Sequence, residues 1–240
     1  PVSEKIVSIY FIYSSIAMKD LEREARKIFM FVRKEKYEEA RKNLSRIVGR
    51  DTENLTKDEI IRATVETVAE SFLDGILAPL FYTALGGAPL AMAYKAINTL
   101  DSMVGLRTPR YREFGWAAAK LDEIANWIPA RLSWLLIGLA TLLINGRCME
   151  AWWVGLEDGV TASGPNGMVP EATFAGALGV ELGGINFYGG QPVEMPKMGY
   201  PIRPLELNDI RLAWRLMIFS SWATLVFAAL LRYFISSVFP

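Results

Sequence analysis

Residues 94–132, YKAINTLDSMVGLRTPRYREFGWAAAKLDEIANWIPARL, place Lys95, Asn98, Asp101, Asp122, Asn126 and Arg131 among residues of buried character. Moving an unpaired polar group out of water costs on the order of 2–7 kcal/mol, so these side chains must find partners in one another or in a ligand. On a helix Lys95, Asn98 and Asp101 stand three apart, with Ser102 four beyond Asn98, and one face then carries a cation, an amide, a carboxylate and a hydroxyl. The stretch is expected to be helical, embedded in apolar surroundings, and part of a site.

The flanking sequence extends that reading to an all-α, multi-helix integral membrane protein. Hydrophobic residues make up 52% of the 240 and the mean hydropathy is +0.21, which fits membrane segments combined with polar ones. Residues 127–145 form the best single span, with 135–144 as its apolar middle, and 212–234 form a second with Arg215 and Arg232 at its ends. Residues 72–94 are strongly apolar but interrupted by Pro79, Gly86, Gly87 and Pro89, so a broken helix is expected there. Between Lys19 and Arg46 apolar Leu21, Ile28, Phe31 and Val32 recur among charges, as in amphipathic charged helices on a surface. The excess of Lys and Arg there, set against the segment from Cys148 to Asn208, puts this end on the cytoplasmic side. Residues 151–204, rich in Gly and Pro, are expected to form a long ordered loop. The chain reads as one domain over 1–240 in a multi-pass cell-membrane protein.

Composition also narrows the chemistry. The 26 basic and 26 acidic residues cancel, leaving no field to gather nucleic acid. There is no histidine, hence no imidazole base, histidine-ligated metal or Ser-His-Asp triad. Cys148 is the single cysteine and reads as packing. Asp, Glu, Lys, Arg, Tyr, Ser and Thr remain as catalysts.

Arg62, Glu66, Glu70 and Asp74 recur every four residues and form a charged stripe entering an apolar segment. Three carboxylates so spaced repel one another and call for a cation, for which Mg²⁺ with phosphate oxygens is suited. The alternative is that Arg62 pairs with Glu66 and the remainder face water. Thr56 and Glu59 form a capping box, whereas Arg50-Asp51-Thr52 allows an anion-binding turn. Asp122 and Asn126 lie one helical turn apart, and Asn166 and Glu171 flank a tight turn before the small-residue run AGALGVELGG. Neither a phosphate-binding loop nor a dinucleotide fingerprint is present, so any nucleotide must bind through metal, Lys and Arg.

Six blocks carry a resemblance to a known family: VGRDT (48–52), RATVETVAE (62–70), DGILAPLFYTALGGAP (74–89), YKAINTLDSMVG (94–105), LDEIANWIPARL (121–132) and PNGMVPEATFAGALGVELGG (165–184). The chain resembles the CobD/CbiB family of cobalamin biosynthesis, the membrane-associated adenosylcobinamide-phosphate synthases. The resemblance covers about Tyr10 to Asp209, with Ser71 and Glu123 as departures, and it implies that further N-terminal hydrophobic helices belong to the complete protein. It implies ATP-dependent amide formation between adenosylcobyric acid and aminopropanol or its O-phosphate. The corrinoid is then a substrate rather than a cofactor, ATP a co-substrate, and other cobalamin-assembly membrane proteins are associates.

On that reading, residue chemistry assigns Glu66, Glu70 and Asp74 to the metal or an ammonium group, Lys95 and Arg131 to phosphate charge, and Asp101 to general base. Substrate contacts are expected from Arg50, Asp51, Asn98, Asp122, Asn126, Asn166 and Glu171. Without histidine the corrin must be held by its amide rim and apolar faces, for which Trp116, Trp127 and Tyr188 are further candidates. Two other classes fit the same elements: an intramembrane prenyltransferase binding Mg-diphosphate through Asn98, Asp101, Asp122 and Asn126, and a non-enzymatic membrane scaffold of a corrinoid-assembly complex.

Overall fold

The computed structural model describes residues 2–105, 115–162 and 164–238. Helices α1 (Val2–Ser15), α2 (Met18–Arg33) and α3 (Tyr37–Leu44) lead to the long pair α4 (Lys57–Phe72) and α5 (Ala78–Val104), joined by a π-helical turn at Leu73–Leu77. Then come α6 (Trp116–Ala125), α7 (Trp127–Thr141), α8 (Cys148–Val154), a second π-helical turn at Gly155–Val160, and α9 (Met168–Leu178). An antiparallel hairpin of β1 (Leu182–Tyr188) and β2 (Gln191–Met198) precedes the closing helix α10 (Leu207–Val238). Of the described residues 74% are helical.

Local sequence explains most element ends. Thr56 caps α4, accepting from the Glu59 N–H while the Glu59 carboxylate accepts from the Thr56 N–H, as the sequence pattern requires. α2 turns Leu21, Ala25, Ile28 and Val32 into the core and leaves its charges outside. The break expected in 72–94 occurs at Gly86-Gly87, where Gly87 has φ 67° and ψ −156°, a region closed to side-chain-bearing residues. The π-helical turn frees a carbonyl that the chain uses: Gly75 O accepts from the Ala17 N–H at 2.9 Å, pinning the α1–α2 junction against the start of α5.

The core runs through Phe72, Leu73, Ile76, Leu77, Ile137, Phe174, Ile210 and Met217, all essentially inaccessible. It joins α4, α7, α9 and α10. Small residues permit that approach. A Cβ on Gly176 would fall 2.5 Å from Glu150 O, and one on Gly138 would fall 1.9 Å from Trp152 Nε1.

Two sequence expectations change. Residues 151–204 are not a loop: they hold the end of α8, the second π-helical turn, α9 and the hairpin, since Gly and Pro here serve close packing and turns rather than irregular chain. The apolar run at 127–145 yields a helix of only 15 residues, about 22 Å long against a hydrocarbon layer of about 30 Å. Two helices, Lys57–Val104 and Leu207–Val238, are long and apolar enough to cross a membrane. On the second, Trp222, Leu225, Val226, Leu230, Tyr233 and Phe234 are exposed.

Gly138→Ala should lower stability by about 1–3 kcal/mol, because the added methyl meets the Trp152 ring and neighbouring packing cannot yield without strain. Thermal unfolding of the detergent-solubilised protein measures this, and an unchanged midpoint would show that the Trp152 ring is not held against α7.

Candidate functional site

Glu66 is 3% exposed, and three donors converge on it. Its carboxylate accepts from Arg50 Nη2 at 2.6 Å and from the Gly183 N–H at 2.8 Å, and lies 3.5 Å from Arg62 Nη1. Both arginines also donate to Asn186 Oδ1, at 2.7 Å from Arg50 and 3.1 Å from Arg62, and Arg62 donates to the Gly183 and Ile185 carbonyls. This lattice binds the hairpin to α4. Asp51 closes its far end, accepting from the Gly189 and Gly190 N–H groups at the hairpin turn.

A second lattice lies further along the same helix. Asn126 donates to Asp122 Oδ2 at 2.9 Å and Asp74 Oδ1 at 3.2 Å, and its own Oδ1 accepts from the Tyr94 hydroxyl at 2.9 Å. Asn98 donates to Asp122 Oδ1 at 3.3 Å, and the Tyr94 ring stacks on Tyr82, whose hydroxyl donates to Ala125 O. The polar face foreseen on 95–102 thus meets the start of α7 through the Asp122–Asn126 pair.

The third connection joins the α9 entry to α7. Asn166 accepts from Arg131 Nη1 at 3.0 Å and donates to Glu123 O at 2.7 Å. Arg131 stands over the Trp127 ring, 4.5 Å from its centroid. Gly167 lies against Glu70, with an added Cβ meeting Glu70 Cγ and Oε1 at 3.4 Å. Residues separated by as many as 121 positions therefore converge: Arg50 and Glu66, Glu70, Asp74, Lys95, Asp101, Asp122, Arg131, Asn166 and Glu171. The charges acting on Glu70 come from Arg50, Glu66, Asp122 and Asp101, and those acting on Asp74 include Glu70, Asp122 and Lys95.

Four members carry no side-chain hydrogen bond or ion pair among the described residues: Glu70, Lys95, Asp101 and Glu171. Glu70 is exposed, the other three half-buried. Packing around Glu171, and then the charges of Glu70 and Glu66, hold its carboxyl well above the usual carboxylate range despite Arg50 and Arg62. Asp101 sits at the last turn of α5 with its Oδ1 directly over Gly105, 1.9 Å from where a Cβ would be.

Several expected roles are corrected by this geometry. Glu66, Glu70 and Asp74 do not form one metal-binding face: Glu66 is enclosed by arginines, Glu70 is open beside Gly167, and Asp74 belongs to the Asn126 lattice. A four-residue step advances about 40° around an α-helix, and the π-helical turn beginning at Leu73 adds to the drift. Among the described residues no group of three or more acidic, Cys or His side chains is arranged to hold a metal ion. The alternative Arg62–Glu66 pairing forms. Asp51 is a hairpin clamp, and Asn98, Asn126 and Asp122 engage one another, so all four position the site. Tyr82, Tyr94 and Asn186 were missed. Tyr82 and Tyr94 lay in motifs already singled out, while nothing in a hairpin of exposed character marked Asn186 as a buried bridge.

Glu66→Ala should cost about 3–5 kcal/mol, since it leaves Arg50, whose side chain is 11% exposed, without its counter-charge. Proteolysis should then cut within 182–198 before the rest of the chain unfolds; retained stability with loss of metal dependence alone would restore Glu66 as a ligand. For Glu171 the sign is the reverse of an ordinary paired carboxylate. Its folded-state value lies above the unfolded one, so its contribution is complete below about pH 4.3 and is lost as pH rises through the folded value. Glu171→Gln should therefore make the ligand-free protein more stable than wild type at neutral and alkaline pH, with a flatter profile, by denaturant titration across pH.

The chain matches the family described as CobD/Cbib protein over residues 2–217. It is 47% identical over 225 residues to the cobalamin biosynthesis protein CobD of Yersinia enterocolitica, covering 94% of this chain and 71% of that one. To the CobD proteins of Geobacter metallireducens and Clostridium perfringens it is 48% and 43% identical, covering 90% and 97% of this chain and 68% and 74% of theirs. No solved structure matches. With nearly the whole chain matched, including every segment that builds the polar cluster, the protein belongs to the CobD/CbiB family of cobalamin biosynthesis proteins.

Proposed function

We propose that this protein is an ATP-dependent acid–amine ligase that joins the free propionate of adenosylcobyric acid to aminopropanol or its O-phosphate. The observation that carries the reading is the division of labour in the site. Glu66, Asp122, Asn98 and Asn126 are tied into fixed lattices, while Glu70, Lys95, Asp101 and Glu171 converge without partners of their own. Charged groups held in partly apolar surroundings without partners are poised for a charged ligand, and the substrates of this reaction supply an ammonium, carboxylates and phosphates.

In this arrangement Lys95 and Arg131 offset phosphate charge. Asp101 accepts the proton that the attacking ammonium must lose before its nitrogen can form the amide bond. The Arg50–Glu66–Asn186 lattice fixes the hairpin beside the substrates, and Trp116, Trp127 and Tyr188, all exposed, offer aromatic faces to the corrin. The donor set fits Mg²⁺ as well: Glu70 with Glu171 are two hard carboxylates, the number with which Mg²⁺ bridged to phosphates is commonly held. Bound there, the ion would neutralise phosphate charge and orient the nucleotide. The two apolar helices and the exposed apolar side chains of α1 and α10 support a multi-pass membrane location.

In the complete protein, Asp101→Asn should lower the rate of amide formation by roughly 10²- to 10⁴-fold while corrinoid binding survives, because the amide keeps the shape but cannot take the proton. Lys95→Ala should instead raise the KM for ATP. Normal turnover by Asp101→Asn would make Asp101 a structural group, and retained cobalamin synthesis in cells would favour the scaffold.

A further inference from the structure

A cavity of about 400 Å³ lies between α7, α8 and α9 and shares no lining residue with the polar cluster. Its charged member Arg147 lies sixteen positions beyond Arg131, past the end of α7 at Thr141. The cavity is walled by Trp134, Trp152, Trp153, Tyr200 and Ile202, with Arg147 and Glu150 as its charged members. Its aromatic polar atoms are already engaged. Trp134 Nε1 donates to Trp152 O at 2.8 Å, Trp152 Nε1 to Leu135 O at 3.2 Å, and the Tyr200 hydroxyl to Glu157 Oε2 at 2.5 Å. What these residues offer a ligand is therefore ring faces.

Arg147 is the exception. Its guanidinium rests over Gly179 at the C-terminus of α9, with Cζ and Nη2 each 3.0 Å from where a Cβ would stand. That placement is favourable for a cation, since it lies at the negative end of the α9 dipole. Yet its Nε is buried with no hydrogen-bond partner, and no carboxylate lies within ion-pair distance among the described residues. The neighbouring Arg203 differs: it is paired with Asp209 and donates to Leu178 O. Glu150 lies on the same rim without pairing to Arg147. A wall of apolar rings with one unsatisfied guanidinium is complementary to an amphiphile with a single anionic group.

The surroundings identify the amphiphile. Met149 and Trp153 of its lining are exposed, as are Leu139, Leu142 and Leu143 in the stretch leading to Arg147, and an arginine following an apolar helix beside tryptophans is the arrangement found at membrane–water interfaces. We propose that this cavity binds an anionic phospholipid, the headgroup phosphate on Arg147 and the acyl chains along the exposed Leu139, Leu142 and Leu143. The inference rests on the membrane location proposed above and is independent of the ligase chemistry.

The test is quenching of intrinsic tryptophan fluorescence in the reconstituted full-length protein, using brominated phosphatidylglycerol diluted into phosphatidylcholine and the reverse mixture. Wild type should prefer phosphatidylglycerol, and Arg147→Gln should lower that relative affinity about fivefold, the effect of one interfacial cation, while Arg147→Lys retains most of it. Ile202→Glu, at a residue 62% exposed, should weaken phosphatidylglycerol binding without disturbing the fold. Equal preference in wild type, Arg147→Gln and Ile202→Glu overturns the site while the membrane location stands. Absence of quenching by either lipid overturns both. Displacement of the lipid by soluble glycerol phosphate at millimolar concentration overturns the assignment to a phospholipid.

Discussion

The buried Glu66 carboxylate is the constraint on which the site depends. A charge taken from water into a protein interior is tolerated only when its partners are close and its lone pairs occupied, and Glu66 achieves this with two arginines and one backbone N–H drawn from three separate segments. Satisfying Glu66 therefore also decides where the 48–52 turn and the β-hairpin sit. Asn186 extends the same logic, since its side-chain oxygen receives both guanidinium groups and keeps them from turning outward.

From this anchor the remaining geometry follows along one helix. One turn beyond Glu66, Glu70 meets the α9 entry at Gly167, and one further turn brings Asp74 to Asn126. The π-helical turn at Leu73–Leu77 matters here, because it lets the axis change phase between Asp74 and the core residues that follow. It also offers Gly75 O to Ala17. α7 is held at its N-terminal end by Arg131 and Asn166, so the approach to α9, the α6–α7 junction and α4 are fixed relative to one another by polar contacts rather than by apolar packing alone.

The helical architecture was legible because apolar periodicity and caps are local properties: the Thr56–Glu59 box, the amphipathic face of α2 and the break at Gly86-Gly87 are written in adjacent residues. The convergence of Asn98, Asp122 and Asn126 was legible in kind, since amides and carboxylates among apolar residues have to meet something. What escaped the sequence was the choice of partners. The even spacing of Arg62, Glu66, Glu70 and Asp74 allowed the Arg62–Glu66 pair but gave no means to know that Arg50 and the hairpin at Gly183 enclose Glu66 as well. Nor could the chain reveal that a Gly- and Pro-rich stretch forms helix and hairpin, because glycines that admit a neighbouring backbone, such as Gly176, look the same in sequence as glycines of a turn. Sequence alone also left open whether the Asn166 region could share a side with Arg50 and Asp101. The Arg131–Asn166–Glu123 bridge and the Gly167–Glu70 contact place it within the same cluster.

The division between engaged and unengaged polar groups also bears on how the site discriminates. A ligand that enters gains little from groups already satisfied, because their hydrogen bonds to the protein would have to be exchanged one for one. In the proposed site, binding energy is instead available where polar groups stand without a partner, at Glu70, Lys95, Asp101 and Glu171. A substrate lacking the matching charge would leave these groups desolvated and unpaired, which is a stronger basis for rejection than the loss of an apolar contact. The lattices built on Glu66 and Asn126 keep those four groups in place while no ligand is bound, so that their charge need not be reoriented when one arrives.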